Sequence, residues 1–555
     1  MDIPQEIKDK YWMKYAPPGF DKWVEIPDMT IPEMGEKAAK KFGDNIIIDY
    51  FGREFSFNQM MELSLKFANG LAKLGIKKGD IVAIFLPNCP QFVISYFGIL
   101  STGAYLTAIS PLFVGREVKY QVNDSGSTAI IVLDRFFRHV KKIRAETDLK
   151  HVILVNVEGQ PLKKPEDPEN GIYHFDTIMN NPPNRPEEIE FKPDDIAIIQ
   201  YTGGTTGDPK GAMLTHRNVV SNAHQVIPYV NHLKNFYKWE RQIMVSVLPW
   251  YHIYGQTCEL ALNSLVGAKS YLFPTFNPEQ VLEKFNQDAV GMQGVTTMFI
   301  TLMNHPLVKE KKINMSQFQL ANVGAGALPV ELAKKWEDIT GWRMAEGYGL
   351  TEASPVVCIN PPYGEKKLGS CGFPIPNTYI GIVNDKNEFL PIGEEGELVV
   401  SGPQVMKGYW KRPEKTKEVL FEAGGLTWLK TGDYAKLDEE GYIFLLDRIK
   451  DLIKYKGHSV YPREVEEVLY EHPAIEEVSV VGVPDPIAGE TIKAFIRLSK
   501  EYKGKITEQE IIDWSREELA AYKYPRKVEF VGSFPKSAVG KILRRKLRDK
   551  EITKT

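Results

Sequence analysis

The 555-residue sequence is poor in cysteine: Cys89, Cys258, Cys358 and Cys371 are scattered, with no CxxC and no Cys/His spacing. That excludes a disulfide framework and the usual zinc modules, and makes a reducing cytoplasm the default compartment. Neither charge sign is in excess: 69 basic residues face 72 acidic ones, a net charge of −3. Such a chain is no polycation, and nucleic acid is not an expected partner. It carries no internal repeat and no low-complexity segment, and its first residues, MDIPQEIKDK, lack the pattern of a signal peptide. Long apolar runs are also scarce. The run Ile81 to Gly115 lacks charge over a length that could span a bilayer, but Pro87, Asn88, Pro90 and Pro111 cut it into pieces. It reads as a buried strand (81–87), a helix (90–100) and a second buried strand (105–110), the signature of a parallel sheet covered on both faces.

What is present is ordinary globular composition, 43% apolar and 25% charged, in a length that suggests two to four domains or subdomains. Ser56 and Gln59 form a capping box before Phe57, Met60, Phe67, Leu71 and Leu74 at helical spacing, and Gly75 ends the run. TAIIVLD (128–134), HVILVNV (151–157) and DIAIIQYT (195–202) continue an α/β rhythm. Seven prolines between 161 and 193 mark a loop or linker. EEGELVVS (394–401) predicts a strand of a β-rich subdomain, and the last 108 residues alternate helix and strand patterns as a small α+β domain would. Charge divides with this organisation. From Arg448 onward 22 basic residues face 18 acidic ones, +4, against 47 and 54 before it, −7. The basic end is compatible with an anionic ligand at its edge.

Tyr201 to Gly211 reads YTGGTTGDPKG, directly after a predicted strand. Glycines allow close backbone approach to a ligand, and hydroxyls, free N–H groups and Lys210 suit phosphate oxygens. It is not a Walker A loop, because GxxxxGK[ST] is absent. The string resembles the phosphate loop of the adenylate-forming superfamily: acyl-CoA synthetases, adenylation domains and luciferases. Further segments resemble that superfamily's motifs in the same order: LPWYHIYG (248–255), GAGALP (324–329), EGYGLTE (346–352), TGD (431–433), DRIKDLIKYKG (447–457) and PKSAVGK (535–541). The resemblance implies an α/β fold: a large N-terminal domain (1–447) of α/β subdomains plus a β-rich subdomain, and a small mobile α+β C-terminal domain (448–555).

It also implies roles. Thr202, Gly203, Gly204, Thr205, Thr206, Gly207 and Lys210 would hold the ATP phosphates. Gly326, Ala327, Glu346, Gly347 and Tyr348 would frame adenine, with Tyr348 stacking on it. Thr351 would lie near the α-phosphate, and Glu352 would hold Mg²⁺, a hard ion that prefers oxygen. Asp433 would accept the ribose hydroxyls, with Arg448 as a second ribose or phosphate contact. His252, Val295 and Gly349 would bound the acyl pocket. Lys541 would bridge the α-phosphate and the incoming carboxylate. Taken without their motifs, these residues have plainer readings: a helix cap for Thr351 and Glu352, a turn aspartate, a core tyrosine, a solvated tail lysine.

The reaction so implied has two halves. ATP and a carboxylic acid give acyl-AMP and pyrophosphate, and coenzyme A then gives acyl-CoA and AMP. The superfamily turns its C-terminal domain about a hinge between them, here Lys450, which removes Lys541 and presents Lys454, Lys456 and Gly457 to coenzyme A. Where acetate-specific relatives carry tryptophan, Gly349 implies an open pocket. The wording of residues 200–548 is closest to long-chain fatty acyl-CoA synthetases, while LIKYKG is closer to 4-coumarate ligases and luciferases. Medium-chain and aryl acids therefore stay open, as do peripheral membrane contact and a homodimer. The other readings weighed are a peptide-synthetase adenylation domain, a luciferase and a non-catalytic acyl or nucleotide sensor. A sensor is expected to lose Lys541 or Glu352, and both are present.

Overall fold

The structure, a computed structural model, describes all residues except 1, 158–161, 163, 187–189, 203–208, 366, 457, 486–487, 538–539 and 553–555. Among the described residues the strands form four sheets. One eight-stranded sheet contains the uncharged run, with Ile81–Phe85 parallel to both Tyr105–Ala108 and Ala129–Leu133. Every residue of Ile81–Phe85 is buried, as continuous apolar strands under helices on both faces require. The helix Pro90–Ser101 connects the two strands. No described helix is long and apolar enough to cross a membrane.

A nine-stranded sheet follows, with Gly291–Gly294, Leu320–Val323 and Met344–Gly349 as parallel neighbours. The main core is shared between these two sheets and the β-rich subdomain, whose five strands include Gly396–Ser401, Leu426–Leu437 and Ile443–Arg448. The C-terminal domain has its own five-stranded sheet, centred on Ile475–Asp485 and Gly489–Leu498, and its own core. The fold is thus the expected large α/β N-terminal domain plus a smaller C-terminal one.

The proline-rich segment departs from expectation. It is no bare linker: Ile172–His174 adds a parallel edge strand beside His151–Val155. The short helix Phe175–Ile178 follows, and Phe175 stacks on Phe67 with ring centroids 4.6 Å apart. Gly70 lies so close to Ile178 that a Cβ there would sit 2.2 Å from the Ile178 carbonyl oxygen. Prolines here interrupt regular pairing without preventing burial of the apolar residues between them.

Candidate active site

Two strand pairs and one turn bring the predicted residues together. Thr202 ends the strand Ile196–Thr202 and pairs with Lys210, the first residue of Lys210–Thr215. Gly203, Gly204, Thr205, Thr206 and Gly207 lie between them, outside the described residues. The strand end is anchored by Tyr201, whose hydroxyl donates to Asp124 at 2.6 Å, and Asp124 also pairs with Arg412. Lys210 stands with its Nζ 4.5 Å from the centroid of the Tyr409 ring. The Tyr409 hydroxyl donates to Glu352 Oε1 at 2.7 Å. Burial lowers the Lys210 amine, Glu352 opposes that, and Lys450 adds to it. Glu352 and Thr351 sit in the short 3₁₀ turn Thr351–Ala353, which the sequence GLTEAS places directly after the strand Met344–Gly349.

On the β-rich subdomain Asp433 and Arg448 are direct partners across antiparallel strands. Asp433 Oδ1 faces Arg448 Nε at 3.2 Å, and its Oδ2 accepts from the Tyr348 hydroxyl at 2.6 Å. Tyr348, from the other sheet, is thereby tied to the predicted ribose carboxylate. Burial and Asp433 together hold its phenol well above the ordinary range. Lys541 joins this group from the C-terminal domain. Repulsion by Arg448, then crowding by protein, lowers its amine from 10.5 to about 8, while Asp433 opposes the fall. The side chain nonetheless keeps contact with water, as a group at the mouth of a cleft would. The adjoining Gly540, at φ +83°, is packed so that a Cβ would lie 3.1 Å from Val295 Cγ2 and 3.5 Å from Thr297 Oγ1. The lysine loop therefore rests on the large domain.

The GAGALP loop, predicted to lie beside adenine, is held from below. Ala327 accepts from Thr296 Oγ1 at 2.8 Å, Ala325 takes φ +62°, and Gly326 is open to within 3.9 Å of Thr296 Oγ1. A positive φ at alanine is strained backbone, which clusters at functional sites. Gly347 likewise has room, with nothing nearer its Cβ position than 3.8 Å. His252 accepts from the Tyr254 amide at 3.2 Å, and burial pushes its imidazole down to about 4, so it is neutral near pH 7.

Two of the predicted residues have further contacts. Glu346, expected beside the nucleotide, is 5% exposed, and its carboxylate has protein partners. It accepts from the Leu328 amide at 3.3 Å and faces Arg463 of the C-terminal domain at 3.5 Å. Gly349 was taken as the absent wall of an acyl pocket. A Cβ there would sit 2.1 Å from the Pro355 carbonyl oxygen, so the turn itself demands glycine, whichever acid is bound.

Lys454 and Lys456 are exposed on the edge hairpin of the C-terminal sheet. Lys454 donates to Ser459 Oγ at 2.7 Å and the Lys456 amide to Ala488 at 3.0 Å, both within that domain. Gly457 lies outside the described residues. Lys450 sits in the turn Ile449–Asp451, and its carbonyl accepts from Arg548 at 3.4 Å. Sequence reading missed Tyr409, Asp447 and Arg544. Tyr409 stands in GPQVMKGYW (402–410), outside the motifs that carry the resemblance. Asp447 opens the hinge motif, and Arg544, three residues after Lys541, begins the helix Arg544–Ile552.

Asp433 and Arg448, the Tyr348 ring and Lys541 of the C-terminal domain gather where the motifs predict a nucleotide, an arrangement that suits the adenylate-forming class. The model of the AMP-binding enzyme family matches residues 35–410, and that of the AMP-binding enzyme C-terminal domain matches 464–541. A long-chain-fatty-acid–CoA ligase of Bacillus subtilis (strain 168) is 37% identical over 561 residues, 98% of each chain. An anthranilate–CoA ligase crystallised with anthranoyl-AMP superposes with a TM-score of 0.84 at 27% identity, over 96% of this chain and 98% of that one. ATP-bound MatB from Rhodopseudomonas palustris gives 0.83 at 26% identity, over 94% and 99%. The chain belongs to the AMP-binding enzyme family, in its AMP-forming acyl-CoA ligase branch.

Proposed function

We propose that this enzyme activates a medium- or long-chain fatty acid, first as acyl-AMP and then as the coenzyme A thioester. Full-length similarity to a long-chain-fatty-acid–CoA ligase supports the acid. The observation that carries the reaction is the convergence of Lys541 with Asp433 and Arg448 from a separate domain. In-line attack of a carboxylate on an α-phosphate needs positioning and charge neutralisation more than covalent help. Asp433 holds the ribose, Tyr348 covers adenine, and Lys541 neutralises charge between the carboxylate and the α-phosphate. Lys210 and the glycine-rich loop take the outer phosphates. Glu352 is a hard oxygen donor steadied by Tyr409, and no described cluster of three or more ligating side chains is present. One carboxylate completed by substrate phosphates suits Mg²⁺, which when bound would neutralise phosphate charge.

The proposed division is 1–447 and 448–555, with Lys450 as hinge. The C-terminal core runs from Ile453 onward and borrows no residue from the large domain, which supports a body able to turn. Turning would bring Lys454, Lys456 and Gly457 to the coenzyme A thiol. The four buried thiols fit a reducing compartment.

The test is coenzyme-A-dependent AMP release across straight acids from C2 to C18 and cinnamic-type acids. A maximum at eight carbons or longer is expected. A maximum with acetate refutes the fatty-acid reading, and a maximum with cinnamic-type acids replaces it by the aryl one that the anthranilate ligase likeness and LIKYKG favour.

A further inference from the structure

The helix Pro462–Glu471 of the C-terminal domain lies with one face on the large domain. Tyr461, just before it, stacks on Tyr434 (centroids 5.9 Å, planes 22° apart) and donates to Glu395 at 3.1 Å. One turn apart, Arg463 and Glu467 share a helix face. The Arg463 amide donates to Asp447 Oδ2 at 2.8 Å, and its guanidinium reaches the Leu445 carbonyl at 3.3 Å, Glu346 at 3.5 Å and Glu467 at 3.8 Å. Glu467 Oε2 accepts from the Val330 amide at 3.2 Å. Val330 is the first residue of the helix Val330–Thr340, whose leading N–H groups have no partner within the helix.

Both anchoring points on the large domain belong to the adenine side. Glu346 opens EGYGLTE, and Leu328, whose amide Glu346 accepts, ends GAGAL. Glu346 is buried, and its other acidic neighbour is Glu467. With Arg463 in place the carboxylate has a cation against it. With the C-terminal domain turned away, it loses that cation, and the Val330 amide loses its acceptor. Leaving a buried charge without its partner is costly, far more so than breaking an exposed pair.

We propose that Arg463 and Glu467 are positioning residues that latch the C-terminal domain in the pose that delivers Lys541, by gripping Glu346 and the Val330 helix end. The proposal rests on the two-step reading above. It ties occupancy of the adenylation pose to the two motifs that frame adenine, so nucleotide binding and lysine delivery share one set of contacts. Neither latch residue touches substrate.

The test compares the half-reactions and the fold separately. Arg463→Met is expected to lower acid-dependent ATP–pyrophosphate exchange at least about tenfold, the scale of a lost buried partner. Thioester formation from supplied acyl-AMP is expected to stay within about twofold. Arg463→Lys should recover part of the exchange. Glu346→Gln, which keeps the acceptor for Leu328, should lose exchange similarly, and the double variant Glu346→Gln with Arg463→Met should lose no more than either single one. Hydrogen exchange on the full chain without substrate gives an independent reading: the Val330 amide should exchange at least about tenfold faster in Arg463→Met. An unchanged Val330 amide, equal loss of both half-reactions, or multiplying losses in the double variant would each overturn the latch. A wild-type chain with no exchange for any acid would instead overturn the functional reading, and the amide measurement would still decide the latch.

Discussion

The lysine delivered to the cleft makes a pH prediction that is worked from its surroundings. Lys541 is lowered from 10.5 to about 8, chiefly because the Arg448 guanidinium stands beside it. Its protonated form is the useful one, since a neutral amine cannot neutralise a phosphate. At pH 7 roughly 90% of the free enzyme carries that proton, and at pH 9 only about 10% does, so kcat/KM for adenylation should fall through a midpoint near 8. Bound ATP is an anion and raises the lysine again, which moves the limb in kcat to higher pH. Glu346, pushed up to about 7 by burial, titrates in the opposite sense, because its carboxylate forms as pH rises. The two limbs are therefore separable. Lys541→Ala should cost about 10²–10³ in pyrophosphate exchange, the scale of one lost transition-state donor. It should leave thioester formation from acyl-AMP within about threefold. Lys541→Arg keeps a cation that does not titrate in this range, so above the Glu346 limb its residual rate should be flat from about pH 8 to about 9.5. A wild-type kcat/KM flat across that range, an alkaline limb that survives in Lys541→Arg, or equal loss of both half-reactions in Lys541→Ala would refute the assignment.

Two other outcomes follow from contacts at the site. Tyr409→Phe removes the hydrogen bond to Glu352 but keeps the ring under Lys210, and should raise the Mg²⁺ concentration needed for half-maximal adenylation several-fold, for about 1 kcal/mol of lost hydrogen bonding. An unchanged Mg²⁺ titration would show that Glu352 does not depend on Tyr409. Gly349→Trp should destabilise the protein by at least about 2 kcal/mol, because its Cβ meets the Pro355 carbonyl oxygen, a backbone atom that cannot move aside cheaply. A normal melting temperature with a preference shifted to short acids would restore the simple pocket-wall account.

What the sequence disclosed tracked how local each cause was. Ile81–Phe85 and Ala129–Leu133 were legible because continuous apolar runs leave a strand few alternatives. The helix Phe57–Lys73 was legible from its capping box and its closing glycine. Ile172–His174 was not: three residues among prolines carry no period, and what holds them is the edge of a distant strand. The site divides the same way. TGD and EGYGLTE could be picked out, yet the bond from Tyr348 to Asp433 joins residues 85 positions apart. For Glu346 the motif suggested a nucleotide contact, and only the placement of Arg463 from another domain shows where its carboxylate goes. Gly349 is the inverse case, in which a missing side chain reflects a neighbouring carbonyl that no sequence pattern displays.

A single site that serves two chemistries needs a lid that closes firmly yet can leave, and the distribution of contacts suits that. The apolar clusters of the C-terminal domain, built on residues such as Val465, Leu469, Val480, Ile492 and Ile511, close upon themselves. Had they continued into the main core, each 100 Å² of shared apolar surface would cost about 2.5 kcal/mol to open. Across the boundary the ties are instead mainly polar: Tyr461 to Glu395, Arg544 to Asp447 at 3.0 Å, and Glu467 to Val330. An exposed tie such as Tyr461 to Glu395 exchanges with water at a net cost near 0–1 kcal/mol, and interfaces of polar character permit relative motion by default. The exceptions are two buried carboxylates, Glu346 facing Arg463 and Asp447 facing Arg544, which lose their cations when the C-terminal domain leaves. Most of the cost of opening therefore falls on these two contacts, and the Glu346 one lies under the GAGALP loop. In the proposed reaction, release of pyrophosphate would remove charge from the far side of the site but leave the adenylate over that loop. The energy that frees the lid must then come from groups that replace Arg463, or from protonation of Glu346, which at about 7 is within reach of the working pH.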